Sequence, residues 1–168
     1  MTAGNKRYTT TYKKRIVEAD MYLPKQSPKG VLQCRGCGAF YAHRHWSLNP
    51  PGRFGNALNA HPVYCPACRK TRDSFPGGEL QLLHIEEEER GEIARILRNE
   101  ESRAREKNPL ERIMRFQTEH GHWKIETTTE KLAQRLGRSV KKAKGGKLLY
   151  RWGHNNKFAR VYWSKKPD

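Results

Sequence analysis

The chain has 168 residues, with 34 Lys and Arg against 17 Asp and Glu, a net charge of +17 and only 35% apolar residues. Its mean hydropathy is −0.99, and no run approaches the roughly 18 consecutive apolar residues of a membrane span, so neither a membrane protein nor a large buried catalytic core is expected. The charge also exceeds the roughly 2–8 units that keep a small domain soluble; such a surplus binds phosphates by counterion release without choosing a sequence, and a nucleic acid is the expected partner.

Taken in chain order, residues 1–30 carry a net +5 and read as a basic arm with little to bury. Met1–Asp20 has no apolar core of a secretory signal, so a cytoplasmic location is expected. Ile16, Val17, Met21, Tyr22 and Leu23 can form a short docking segment. Residues 31–85 hold Cys34-Arg35-Gly36-Cys37-Gly38 and Cys65-Pro66-Ala67-Cys68, two C-x-x-C pairs 27 residues apart. Such a turn points both thiolates at one centre, and two of them supply the tetrahedral sulfur set that structural zinc prefers. With Cys34, Cys37, Cys65 and Cys68 as ligands, no position is left for water, so the metal is expected to fold the chain rather than catalyse. Redox thiols and an iron–sulfur cluster are the other chemistries open to these cysteines.

Between the pairs stand His43, Arg44, His45, Trp46, Arg53, Phe54 and His61. No carboxylate accompanies them, so a hydrolytic centre lacks its general base. Arg44 and Arg53 suit phosphate contacts, and Trp46 suits stacking on an unpaired base. After Pro76-Gly77-Gly78, Leu80, Leu82 and His84 alternate as a closing strand.

Glu86–Lys107 reads as a helix with its acids first and its bases later, which suits the helix dipole. Segment 79–108 is net −3 and its apolar positions are few, so a solvated connector with one narrow packing stripe is expected. Asn108-Pro109 then suggests an N-cap and a first helical position, with Leu110, Ile113, Met114 and Gln117 on one helical face ending near Gly121. Trp123–Thr127 reads as a strand. Thr128 or Thr129 can cap a helix carrying Leu132, Leu136, Val140 and Ala143, stopped by Gly145-Gly146. Two strand-like runs, Lys147–Trp152 and Phe158–Trp163, flank a hairpin loop. In that loop His154-Asn155-Asn156 has superficial nuclease character, without a partner carboxylate or metal ligands.

Residues 109–168 carry net +10. Arg138, Lys141, Lys142 and Lys144 lie opposite the apolar stripe of the last helix and suit phosphate contacts. Period-two alternation separates Tyr150 and Trp152 from Arg151, and Arg160 from Val161. One face of the hairpin packs on the helices, and the other, with Arg151 and Arg160, can serve as an RNA platform. Trp152 is a further stacking candidate.

The order of knuckle, knuckle, acidic helix, then Asn-Pro-Leu-Glu-Arg-Ile-Met (108–114), Thr-Thr-Thr-Glu-Lys-Leu-Ala-Gln-Arg-Leu-Gly-Arg (127–138), Lys-Lys-Ala-Lys-Gly-Gly-Lys-Leu (141–148) and Phe-Ala-Arg-Val-Tyr-Trp (158–163) resembles bacterial zinc-ribbon proteins. These are in turn similar to the N-terminal part of the eukaryotic and archaeal large-ribosomal-subunit export adaptor, which carries additional cysteines and domains. The likeness covers roughly residues 31–163 and implies binding to ribosomal RNA or the large subunit.

The expected fold class is therefore α+β: a basic arm (1–30), a zinc ribbon (31–85), an acidic helical connector (86–108) and a basic α-β-α-β-β domain (109–168). The expected function is non-enzymatic RNA binding, stabilised by zinc and associated with the ribosome, without a membrane or small-molecule substrate. A DNA-binding transcription accessory protein, or a protein adaptor using the acidic helix, are the alternatives.

Overall fold

A computed structural model describes residues 21–22, 28–52, 59–153 and 158–165. Its elements are α+β, in two sheets. The first sheet is built from β1 (Leu32–Cys34), β2 (Phe40–Ala42), β3 (His45–Ser47) and β4 (His61–Val63) in the order β3-β2-β1-β4. β1 runs antiparallel to β2 and parallel to β4, with Cys34 level with Val63. α1 (Pro66–Arg72) follows, with Pro66 in its first turn, where the missing N–H costs no hydrogen bond. Of the expected docking segment, Tyr22 is buried against Phe75 at 5.5 Å and beneath Arg69, whereas Met21 is exposed. Ile16, Val17 and Leu23 lie outside the described residues.

The second sheet contains β5 (Gly78–Leu83), β6 (Ile113–Glu119), β7 (His122–Thr127), β8 (Lys147–Trp152) and β9 (Ala159–Ser164), ordered β6-β7-β5-β9-β8. The strand expected after Pro76-Gly77-Gly78 is present, and it lies in the middle of this larger sheet. It runs antiparallel to β7 and parallel to β9. Leu80 and Leu82, both fully buried, point to the same face as Ile125, Val161 and Trp163. α2 (Glu87–Lys107) and α3 (Glu130–Lys144) complete that core through Ile93, Leu97, Leu132, Leu136 and Val140.

α2 matches its expected span, but it is not a solvated connector. Its carboxylates hold α3: Glu100 accepts from Arg135 Nε at 2.8 Å and from Ser139 Oγ at 3.1 Å, and Glu92 pairs with Lys144. Part of the acidity read from the sequence, Glu89, Glu92 and Glu100, faces the partner helix. Glu89 accepts from Lys165 Nζ at 2.7 Å, and that ammonium holds its carboxyl below the usual glutamate range.

The helix expected over 110–117 is a strand instead, so the C-terminal order is not α-β-α-β-β. Asn108 does act as a turn former, its Oδ1 accepting from Leu110 N at 3.1 Å, but the turn closes at Glu111 N→Asn108 O and the chain extends. Ile-Met-Arg-Phe-Gln-Thr-Glu then pairs with β7 from Phe116↔Ile125 to Glu119↔His122. The connecting His120 and Gly121 both have positive φ, 44° and 78°, as a tight hairpin with matching twist requires. Between β5 and α3, then, the order is β-α-β-β-α, and β8 and β9 close the sheet.

α3 follows its expectation at both ends and at Leu132, Leu136 and Val140, whereas Ala143, expected on the same stripe, is exposed. Thr129 Oγ1 caps it by accepting from Leu132 N at 3.2 Å, and Gly145 ends it at φ 72°. Both helices lie on one side of the five-stranded sheet. The other side carries Gln81, Lys124, Glu126, Arg151, Arg160 and Tyr162, with no described helix over it. Among the described residues no helix is long and apolar enough to cross a membrane.

Candidate metal centre

The four cysteines come from two local structures that the first sheet brings side by side. In the first, the chain turns back after β1: Gly38 N donates to Cys34 O at 2.9 Å and Cys34 N to Ala39 O at 2.8 Å. In the second, Cys65 is the N-cap of α1, and Cys68 lies in its first turn. Parallel pairing of β1 with β4 sets the two side by side, and the four Sγ atoms lie within 4.8 Å of one another.

Amide donors already point at the sulfurs: Cys65 N at 3.2 Å from Cys34 Sγ, and Cys68 N at 3.4 Å from Cys65 Sγ. Position 36 must be glycine, because an added Cβ would lie 2.8 Å from Cys68 Sγ. Four thiols, amides aimed at them and a backbone cleared of side chain beside them fit a structural metal ion. All four are free cysteines, with Cys34 and Cys65 buried.

The protons are unevenly placed. A hydrogen bond joins the Cys37 and Cys65 sulfurs, 3.7 Å apart, which lowers the Cys37 thiol from its ordinary value and, with burial, raises that of Cys65. Burial raises the Cys68 thiol, against the opposing pull of Arg112. With their thiols raised, Cys65 and Cys68 keep protons at neutral pH that a metal must displace. Apparent metal affinity is accordingly expected to rise with pH, by about tenfold or more per unit between pH 6 and 8. A chelator-competition titration across that range checks this, and a flat profile contradicts it.

Arg112 was not legible as part of this site. Its Nη2 lies 3.3 Å from Cys68 Sγ and 3.5 Å from Cys65 Sγ, although it is more than forty positions away in sequence. Packing of the Leu110–Arg112 segment on the cysteine cluster brings it there, and no spacing in the chain signals it.

The nucleic-acid candidates are scattered by comparison. Arg44 is exposed in the β2–β3 turn at φ 67°. Trp46 is partly buried against Tyr41 and the cysteine cluster, so much of its ring surface is already used within the protein. Arg53 and Phe54 lie outside the described residues, as does His154-Asn155-Asn156. Arg138, Lys141 and Lys142 are exposed on α3. Lys144 shares its helix but is turned toward α2, where Glu92 and Glu89 engage its ammonium and raise its pKa. Trp152 is 46% exposed on the helix-side face at the edge strand.

Arg151 and Arg160 are brought together as direct cross-strand partners on the helix-free face. Arg151 lies over the Tyr162 ring at 5.7 Å and Arg160 over Phe158 at 4.9 Å. Glu79 neighbours Arg160 across β5, but its carboxylate is taken by Lys124 at 3.3 Å and by Gln81 Nε2 at 2.5 Å.

Comparison of the chain with protein-family models, with curated proteins and with solved structures finds no match.

Proposed function

We propose that this protein is a zinc-stabilised, non-enzymatic RNA-binding protein of the cytoplasm, and that its target is ribosomal RNA or the large ribosomal subunit. Zinc is the ion of choice for a closed set of four cysteine sulfurs. The RNA reading rests on one observation above the others, the Arg151–Arg160 pair. Like charges placed directly opposite on neighbouring strands destabilise a sheet. Here no described carboxylate pairs with either, and each rests on an aromatic ring. A phosphate backbone relieves the repulsion, while Tyr162, Phe158 and the guanidinium planes offer stacking surface to unpaired bases.

Exposed Arg138, Lys141 and Lys142 on α3 add cations without ion pairs among the described residues, and Arg44 adds one on the ribbon. Three of the seven acids of α2, Glu89, Glu92 and Glu100, are engaged by α3 and so are less open to a basic protein. The ribosomal target comes from the resemblance over roughly residues 31–163.

Affinity purification with and without RNase, with the recovered RNA sequenced, tests the target. Ribosomal RNA that disappears with RNase is the expected result, and an RNase-resistant protein partner without enriched RNA would replace it with the adaptor reading. Competition between structured RNA and duplex DNA at matched salt separates RNA from the DNA-binding alternative. In the same assay, the double change Arg151→Gln and Arg160→Gln is expected to weaken RNA binding across sequences. Each lost phosphate contact should flatten the log affinity against log salt slope by about 0.7–0.9. An unchanged slope removes that face from the interface.

A further inference from the structure

We propose that Arg112 is an outer-sphere partner of the metal centre, shielding the sulfurs of Cys65 and Cys68 and tying metal loading to the seating of the ribbon on the five-stranded sheet. The inference rests on the metal-centre reading. A divalent ion held by four thiolates carries a formal charge of −2, and the Arg112 guanidinium is the one side-chain cation that donates to these sulfurs among the described residues.

A buried guanidinium is costly without an anion. Arg112 Nε is buried with no hydrogen-bond partner, and no described carboxylate pairs with the side chain. Neutral thiols do not supply the missing charge; thiolates fixed by a metal do. The arginine and the loaded centre therefore complete each other.

The backbone of Arg112 is pinned to the larger sheet. Its N–H donates to Thr128 Oγ1 at 2.8 Å, and its carbonyl accepts from Thr128 N at 2.9 Å. Thr128 Oγ1 also reaches Leu110 O at 2.5 Å, and Thr128 O accepts from Lys70 Nζ of α1 at 3.4 Å. Leu110 packs on the cysteine cluster. Thr128, almost fully buried, is thus the point where the ribbon helix, the Leu110–Arg112 segment and the larger sheet meet. Any change of sulfur charge is felt there through one side chain.

The test uses the full chain loaded with zinc, and the variants Arg112→Met and Arg112→Lys. Zinc affinity is read by competition with a chromophoric chelator, and alkylation of each cysteine by iodoacetamide is read by mass spectrometry. Arg112→Met is expected to lower zinc affinity about 10–100-fold, the usual cost of losing an outer-sphere partner. It should also speed alkylation of Cys65 and Cys68 several-fold over Cys34 and Cys37, because unshielded thiolates are better nucleophiles. Arg112→Lys, keeping the charge, should recover part of both.

A zinc-loaded Arg112→Met protein with wild-type affinity and alkylation pattern would overturn the inference. So would an equal rise at all four cysteines not rescued by lysine, which marks general loosening. A wild-type chain that takes up no zinc would defeat the metal-centre reading itself.

Discussion

Cys65→Ser is expected to abolish tight metal binding and to remove the cooperative melt of the four-stranded sheet, while the five-stranded sheet stays folded. Cys65 is fully buried, its Sγ caps α1 by accepting from Cys68 N, and its own N–H donates to Cys34 Sγ. Serine is itself a good N-cap, so the substitution keeps the helix start and isolates the lost ligand. Structural zinc contributes about 10–16 kcal/mol to the folding of small domains, far more than the few apolar groups around the cysteines replace. The larger sheet has a separate core around Leu80, Ile125, Leu136 and Trp163, which is why its melt should survive. Metal content by mass spectrometry and a thermal melt by circular dichroism check both halves. A variant that keeps one zinc with wild-type affinity would sink the ligand assignment.

Trp163→Ala should produce the largest loss in the other unit, about 3–5 kcal/mol, the usual range for emptying a buried tryptophan site. Trp163 is fully buried on β9, between Leu82 of β5 and Leu148 of β8. Its indole Nε1 also donates to Gly145 O at 2.9 Å, satisfying a carbonyl at the C-terminus of α3. One side chain thus fills the core beneath the sheet and ties the end of the helix to it. Trp163→Phe separates these roles: it keeps most of the buried ring and loses the donor, so a clearly smaller loss is expected. Urea unfolding followed by far-ultraviolet circular dichroism measures both. A loss below about 1 kcal/mol for the alanine variant would mean that the core closes around the gap, against the usual behaviour of packed interiors.

The open face of the larger sheet divides into two electrostatic halves. On β5, β6 and β7, Lys124 is paired to Glu79 and Glu126, with Arg115 beside Glu126 at 3.9 Å. On β8 and β9 the arginines have aromatic rings and no described acids. The proposed RNA contact therefore belongs to the β8–β9 half, and the salt slope of the Arg151/Arg160 variant bears directly on it.

What the sequence determines by itself is whatever chemistry and period are local. Two C-x-x-C turns make thiol pairs within a few residues, so the cysteine cluster was legible. Thr129, Gly145 and the Leu132, Leu136, Val140 stripe write both ends and the buried face of α3 within fifteen residues. The alternation in Lys147–Trp152 and Phe158–Trp163 set Arg151 and Arg160 on the faces opposite Tyr150 and Val161, and burial of Val161 and Trp163 against the helices decided which of those faces is core. Tertiary structure alone decided the rest. Residues 110–117 satisfy helical spacing locally, but hydrogen bonds to β7 and a turn at His120-Gly121 make them a strand, because non-local pairing outweighs a weak local preference. Glu89, Glu92 and Glu100 of α2 look solvated until α3 is laid against them, and Lys144 looks free until Glu92 and Glu89 meet it. Arg112 becomes part of the cysteine site only where the Leu110–Arg112 segment packs on the cysteine cluster, since the distance between charges in a folded chain is set by which elements pack together, not by their separation in sequence.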